Sequence, residues 1–206
     1  QKLNRRTVSV ESGRPDKVLQ FGKGNFLRAF ADWVIGIMNE KTNFNGSVQI
    51  VQVNAKETDV RFRQQDGLFH TVINGMKGGA SMREIRLITC VREVINPFEN
   101  FSAYLSAAEN PELRFIISNT TEAGISFDPD DLSHDVLQKS FPGKLTALLY
   151  HRFKFFAGAP EKGLTVLSCE LVERNGEALR TAVYSYIRHW NLEPEFQTWI
   201  QDHTLF

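Results

Sequence analysis

Hydrophobic positions along the chain follow two alternating patterns. One is short runs, continuous or every other residue; the other is longer stretches with apolar residues three and four apart. Lys17-Val-Leu-Gln-Phe21 is a run of the first kind and closes at Gly22. From Asn25 the spacing turns helical, with Phe26, Phe30, Trp33, Val34, Ile37 and Met38 on one predicted apolar face. That helix is expected to stop near Lys41, ahead of the turn-rich segment 42–46. Ser47 to Val53 predicts a second strand. The segments Leu68 to Asn74 and Arg86 to Val94 both alternate and are rich in β-branched residues. Between them, Gly75-Met-Lys-Gly-Gly79 predicts a hairpin with antiparallel arms.

Pro97 precedes a helix predicted from Phe98 to Glu109, which Asn110-Pro111 ends. Arg114 to Ser118 is then a short buried strand, followed by the polar loop Asn119 to Gly124. After Phe141-Pro142, Leu145, Leu148, Leu149, Phe153 and Phe156 share a helix face. Leu164 to Ser168 is the last predicted strand. Its helix begins near Asn175, whose side chain is placed to cap the first free amides, and carries Leu179, Val183, Tyr186, Ile187 and Trp190. Pro194 to His203 predicts a final amphipathic helix with Phe196, Trp199 and Ile200. Strands separated by helices predict an α/β fold: Rossmann-like, doubly wound, with a mainly parallel sheet and an inserted antiparallel hairpin. Right-handed crossovers then gather the loops after the strands at one edge, where such sheets bind ligands.

Composition removes several alternatives. The 206 residues include 16 Phe, 4 Tyr and 3 Trp, far more buriable surface than a disordered chain carries. The 24 basic side chains balance the 24 acidic ones, which argues against a nucleic-acid partner. The best apolar run, Trp33 to Met38, is far short of the roughly 18 residues of a membrane span. The N-terminal QKLNRRTVSVE has no apolar signal-peptide core, so a cytoplasmic location is expected. Cys90 and Cys169, both in strand-like runs, are read as inert core thiols of a reducing compartment.

The turn Phe21-Gly-Lys-Gly-Asn-Phe-Leu-Arg28 joins the first strand to the first helix. Gly22 suits a tight turn, and Gly24 removes a side chain where a diphosphate would approach the backbone and the helix amides. Arg28, one turn in, can add a charge-assisted contact. The third glycine of G-x-G-x-x-G is absent, because Leu27 stands there, so the motif alone also fits a purely structural turn. For the ribose hydroxyls of a dinucleotide an acid is expected after the second strand. Glu57 or Asp59 can fill that role or simply be solvated, while Lys56 can instead accept a 2′-phosphate. NAD is therefore preferred over NADP. The loop Asn119-Thr-Thr-Glu122 and the segment Cys169 to Gly176 are expected at the same sheet edge, as binding groups or as turn and cap chemistry. His70, His134, His151, His189 and His203 show no metal-ligand spacing, so no metal is expected. There is no G-x-S-x-G nucleophile elbow.

At Phe21-Gly-Lys-Gly-Asn-Phe-Leu-Arg-Ala-Phe30 the sequence closely resembles the polyol-specific long-chain dehydrogenases, the mannitol dehydrogenase family. The stretches Gln65 to Phe69, Asn110 to Phe115, Ser118 to Ile125, Ser168 to Leu171 and Asn175-Gly176 are similar to its tagaturonate-reducing branch. From about Val18 onward, the resemblance implies an NAD-dependent oxidoreductase of hexuronate catabolism, converting D-tagaturonate and NADH to D-altronate and NAD. The alternatives are a fructuronate reductase or a mannitol-type polyol dehydrogenase. It implies a cofactor site formed by Leu19, Gln20, Phe21, Gly22, Lys23, Gly24, Asn25, Phe26, Leu27, Arg28, Glu57, Asn119, Thr120 and Thr121. The partner it implies is a small sugar acid. Mannitol-type members carry Asn where this sequence has Leu171, which favours the uronate branch. The family's catalytic Lys belongs to a second, helical domain, where it gives a proton to the nascent alkoxide. Residues 1–206 are accordingly expected to be the NAD-binding domain alone, with Glu122 and Asn175 the weak catalytic candidates within it. Two other classes stay open: a stand-alone dinucleotide-binding module, and a methyltransferase, whose fold also uses a glycine-rich first turn.

Overall fold

Strand β1 (Asp16–Phe21) lies at the centre of a five-stranded sheet and is followed by α1 (Asn25–Ala29) and α2 (Ala31–Lys41). The chain continues through β2 (Ser47–Val51), α3 (Val60–Gln64), β3 (Phe69–Lys77), β4 (Ala80–Ile88), β5 (Val91–Ile95) and α4 (Phe101–Ser106). Then follow β6 (Phe115–Ser118), α5 (Phe141–Phe155), β7 (Thr165–Ser168), α6 (Asn175–His189) and α7 (Pro194–His203). This computed structural model describes residues 3–8, 13–54 and 60–206, and of Arg61, Glu122 and Ala123 the backbone only.

The sheet runs β5-β2-β1-β6-β7, and every pairing in it is parallel. Beyond β7, Leu205 adds one parallel bridge to Thr165. Counted among its own strands, the sheet has the order 3-2-1-4-5, the doubly wound arrangement with its reversal between β1 and β6. Alternation along β1 shows the two layers. Leu19 and Phe21 enter the core shared with Leu145, Leu148, Val183, Phe196 and Ile200, while Val18 joins Leu27, Ala31, Ile35, Val48 and Ile50 on the other face. The expected fold class is the observed one.

Several boundaries differ from the expectation. The first helix is two, broken at Phe30 (φ −114°, ψ −68°). Its buried side is Leu27, Ala31 and Ile35 together with Asp32, not the aromatic face expected from the spacing. Ala31 lets the helix approach the sheet closely; Phe26 and Phe30 instead stack on each other at 5.5 Å, half exposed. The segment Arg86 to Val94 is not one strand. It ends at Ile88 as a hairpin arm and restarts at Val91 as β5 beside β2. The hairpin turn is Gly78-Gly79, with φ of +59° and +83°, the pair of left-handed residues that a two-residue turn requires. Strand pairing therefore runs on through Gly75, Met76 and Lys77. The helix expected from Phe98 starts at Phe101 instead, where Asn100 Oδ1 accepts the Ala103 N–H at 2.9 Å.

On α5, the buried Arg152 fixes the connections behind the sheet. Its guanidinium donates to the carbonyls of Lys162 (2.7 Å), Ala108 (2.5 Å), Asn110 (2.9 Å) and Leu113 (3.3 Å). These carbonyls belong to chain that enters β6 and β7; that of Asn110 also accepts the Leu113 N–H at 3.3 Å. Arg152→Ala is expected to lower stability by about 3–5 kcal/mol, the cost of stranding buried acceptors and opening a cavity. Urea unfolding measures it, and an unchanged midpoint would contradict this assignment.

Candidate functional site

The carboxyl ends of β1, β2 and β6 open on a cleft of about 830 Å³ at the point where the strand order reverses. Gly22, Lys23 and Gly24 form one side, residues 52–54 after β2 a second, and Asn119, Thr120 and Thr121 after β6 a third. Ser126 to Pro129 and Lys139 to Phe141 close it from the front. Gly22 has φ +111°, and a Cβ on it would lie 3.2 Å from the carbonyl oxygen of Asn119. The two loops therefore approach as closely as they do only with glycine at that position. A Cβ at Gly24, by contrast, would meet nothing within 4 Å, because the residue faces open space.

Buried polar groups hold the walls. Glu170, just past β7, accepts from Ser118 Oγ at 3.1 Å, and from Thr120 N and Oγ1 at 3.0 and 3.2 Å. Asn119 Nδ2 donates to the Cys169 carbonyl at 2.5 Å. Asn175 Nδ2 donates to the carbonyls of Ser168 (2.8 Å) and Glu170 (3.0 Å), and its Oδ1 accepts the Gly176 N–H at 2.8 Å. The loop after β6 is thus fastened to the loop after β7.

The front wall depends on Asp131, whose buried carboxylate accepts from the backbone of Lys139 (2.5 Å) and Ser140 (3.1 Å) and from Tyr186 OH (3.0 Å). Ser140 Oγ and Tyr186 OH are 2.8 Å apart, and Ser140 Oγ also caps α5 by accepting the Gly143 N–H. Burial is the main cause that pushes the Tyr186 phenol up to about 12. Lys144 lies behind this wall, fully buried, with Nζ 2.8 Å from the Lys139 carbonyl and 5.2 Å from the centre of the Phe98 ring. Burial pulls its ammonium down to about 8.

The expected site residues fall into three groups. Gly22, Lys23, Gly24, Asn119, Thr120 and Thr121 line the cleft. Leu19, Phe21 and Leu27 are core beneath the turn, and Gln20 is buried with Nε2 on the Gly22 carbonyl at 3.1 Å. Asn25, Phe26 and Arg28 stand beside the cleft without lining it. The Arg28 guanidinium donates to Asn25 Oδ1 at 2.7 Å and sits 5.7 Å from the centre of the Phe69 ring. Glu57, Asp59 and Lys56 lie outside the described residues, and so does the side chain of Glu122. The contribution of Gln52 to Asn54 and the whole front wall escaped sequence reading. Asp131-centred bonding spans more than fifty residues of chain, and no local spacing signals it. Among the described residues, no group of three or more His, Cys, Asp or Glu is placed to hold a metal ion.

A parallel doubly wound sheet with a glycine turn opening on its switch-point cleft defines a nucleotide-binding class of domain. Residues 16–206 match the family model described as the mannitol dehydrogenase Rossmann domain, and the chain belongs to that family. This sets aside the methyltransferase alternative. It is 46% identical over 200 residues to the altronate oxidoreductase of Bacteroides thetaiotaomicron, covering 97% of this chain and 42% of that protein. It is also 46% identical over 206 residues to that of Bacillus subtilis, covering 100% and 43%. The chain thus spans less than half the length of these curated relatives. Mannitol 2-dehydrogenase of Pseudomonas fluorescens, solved as a ternary complex with NAD and D-mannitol, shares the fold over the whole chain and 46% of its own. The TM-score is 0.82 and the identity 23%.

Glu170→Ala is expected to destabilise the protein by about 2–3 kcal/mol without any ligand, since Ser118 and Thr120 lose a charged acceptor. Urea unfolding of the unliganded variant reads this directly; wild-type stability would mean that the carboxylate does not hold the two loops.

Proposed function

We propose that this chain is the NAD-binding part of an oxidoreductase that interconverts D-tagaturonate and D-altronate. The observation that carries the reading is the open space over Gly24, at the mouth of a cleft that straddles the β1–β6 reversal. A diphosphate can lie against this backbone with no side chain in its way, beside the amides that start α1. Gly22 keeps the turn tight, and Asn119 to Thr121 face it from the end of β6. Lys23 and Lys139 add positive charge on opposite sides of the cleft. The adenosine ribose is assigned to Glu57, with Asp59 as the alternative. Bound in this cleft, NAD(H) supplies or takes the hydride exchanged with the sugar-acid carbon.

The substrate reading is supported by the altronate oxidoreductases, which match along nearly the whole chain. Leu171, 85% exposed just beyond β7, supports the same branch, because it offers no side-chain hydrogen bond to a polyol oxygen. The proton that must reach the alkoxide is assigned to a group in the further length that the relatives have. Asn175 is ill-suited to it, since its amide hydrogens are already engaged by backbone carbonyls. No helix among the described residues is long and apolar enough to cross a membrane. Two free thiols, Cys90 and Cys169, support a cytoplasmic setting.

Reduction of tagaturonate by the complete protein with NADH, assayed beside fructuronate and fructose, tests the substrate. A preference for either competitor would overturn the assignment. For the cofactor, Gly24→Val is expected to weaken NADH binding by at least about tenfold, roughly 1.4 kcal/mol, with the unfolding midpoint retained. Unchanged NADH affinity in fluorescence titration would remove the turn from the site. The same titration is expected to give a lower Kd for NADH than for NADPH, and the reverse order would pass the ribose position to Lys56.

A further inference from the structure

Residues 126–140 run through turns and bends, so the front wall of the cleft takes its shape from side chains rather than from a backbone ladder. Two short stretches of it line the cleft, Ser126 to Pro129 and Lys139 to Phe141. Both are bound to one atom. The hydroxyl of Tyr186, fully buried on α6, lies 2.9 Å from the Asp128 nitrogen, 2.8 Å from Ser140 Oγ and 3.0 Å from Asp131 Oδ2. A phenol has one hydrogen to give and can accept two, which fixes the direction of each bond. Asp131 is the charged acceptor and takes the hydrogen. The Asp128 carbonyl, 3.2 Å away, already accepts the Asp131 N–H. The Asp128 N–H and the Ser140 O–H therefore both donate to the phenol oxygen, and Ser140 Oγ in turn accepts the Gly143 N–H at 2.9 Å.

Packing follows the bonding. Phe127, from the first stretch, has its ring centre 4.8 Å from that of Tyr186 and stands edge-on to His189 at 5.3 Å. Trp190, four residues on at the end of α6, is 4.7 Å from the Tyr186 ring, and its Nε1 donates to the Asp131 carbonyl at 2.7 Å.

We propose that Tyr186 is a positioning residue for the half of the dinucleotide beyond the diphosphate, the half that carries the nicotinamide. This rests on the cofactor reading above, in which the adenosine ribose lies at the loop after β2 and the diphosphate at Gly24 after β1. Strands β2 and β6 flank β1 on opposite sides. The wall is reached from β6 and anchored on α6, which follows β7 beyond it. A dinucleotide with its adenosine over β2 turns its other half toward this wall, where Phe127 offers a partly exposed aromatic surface. Without the hydroxyl the two stretches are free to separate, and affinity falls with the fraction of time that the wall is in place.

Tyr186→Phe isolates this role. It keeps the ring against Phe127 and Trp190, and it leaves Asp131 the N–H donors of Lys139 and Ser140. What it removes is the acceptor of the Asp128 N–H and the tie to Ser140.

The test measures NADH binding by fluorescence titration, and ADP binding by displacement of NADH, in the complete wild-type protein and in Tyr186→Phe. The Kd for NADH is expected to rise about three- to tenfold, the contribution of one hydrogen bond to a pre-formed wall. ADP has no group beyond the diphosphate and is expected to bind both proteins equally. An unchanged Kd for NADH overturns the proposal. So does an equal loss for NADH and ADP, since a general loosening of the fold would weaken both. No displacement by ADP from wild type overturns it too, because the division of the cleft into two halves then fails. Amide exchange without ligand is followed in parallel. The Asp128 amide is expected to exchange faster in Tyr186→Phe while β1 keeps its protection, and wild-type exchange at Asp128 overturns the proposal whatever the ligands do. Should wild type bind no NADH, the cofactor reading fails by itself and takes the nicotinamide assignment with it, while the exchange data still judge the hold of Tyr186 on the wall.

Discussion

Parallel neighbours β1 and β6 send their crossovers to opposite faces of the sheet, and the site depends on this constraint. Right-handed connections place α1, α2 and α3 over one face and α4 to α7 over the other, so the loops leaving β1 and β6 must part. The space left between them is the cleft. Its floor is the buried end of β1, where Phe21 packs against Phe141 at 4.9 Å and edge-on to Tyr104. The loops part above that floor, yet they come within van der Waals range of each other at Gly22. One glycine therefore couples the tightness of the first turn to the position of the next strand's loop.

Polar groups inside the protein make this geometry rigid without regular secondary structure. Glu170 ties the loops after β6 and β7, Asp131 shapes the front wall, and Arg152 gathers four carbonyls of the connections behind the sheet. Each is buried, and each meets backbone groups of the loops that it holds. Lys144 works the same way from below, with its ammonium on backbone carbonyls and the face of Phe98. The charges found inside serve to satisfy loops, which is why they surround the cleft rather than fill it.

Much of this was legible in the sequence because strand and helix periods are local. The parallel strands, the hairpin and the glycine turn appear where the runs of Val, Ile and Leu and the turn residues place them. Misreadings came where packing overrides hydrophobicity. Phe26 and Phe30 look like core residues, yet α2 approaches the sheet through Ala31 and leaves both rings half exposed. Thr89-Cys90 carries no turn signal, so the passage from hairpin to parallel sheet between Ile88 and Val91 reads as one strand. The wall at 126–140 was invisible for a different reason. It has almost no regular structure, and its shape is imposed by bonds from Asp131 and Asp128 to Tyr186, far along the chain.

The central claim is that a dinucleotide occupies the carboxyl edge of the sheet across the β1–β6 reversal. Amide hydrogen exchange on the protein with and without saturating NADH tests it most directly. The account predicts new protection at residues 22–24, 52–54 and 119–121, with none at the opposite edge. That edge has its own smaller hollow, bordered by Arg14, Asp16, Arg92 and Asn110. Protection confined to those residues, with the three loops unchanged, would contradict the account.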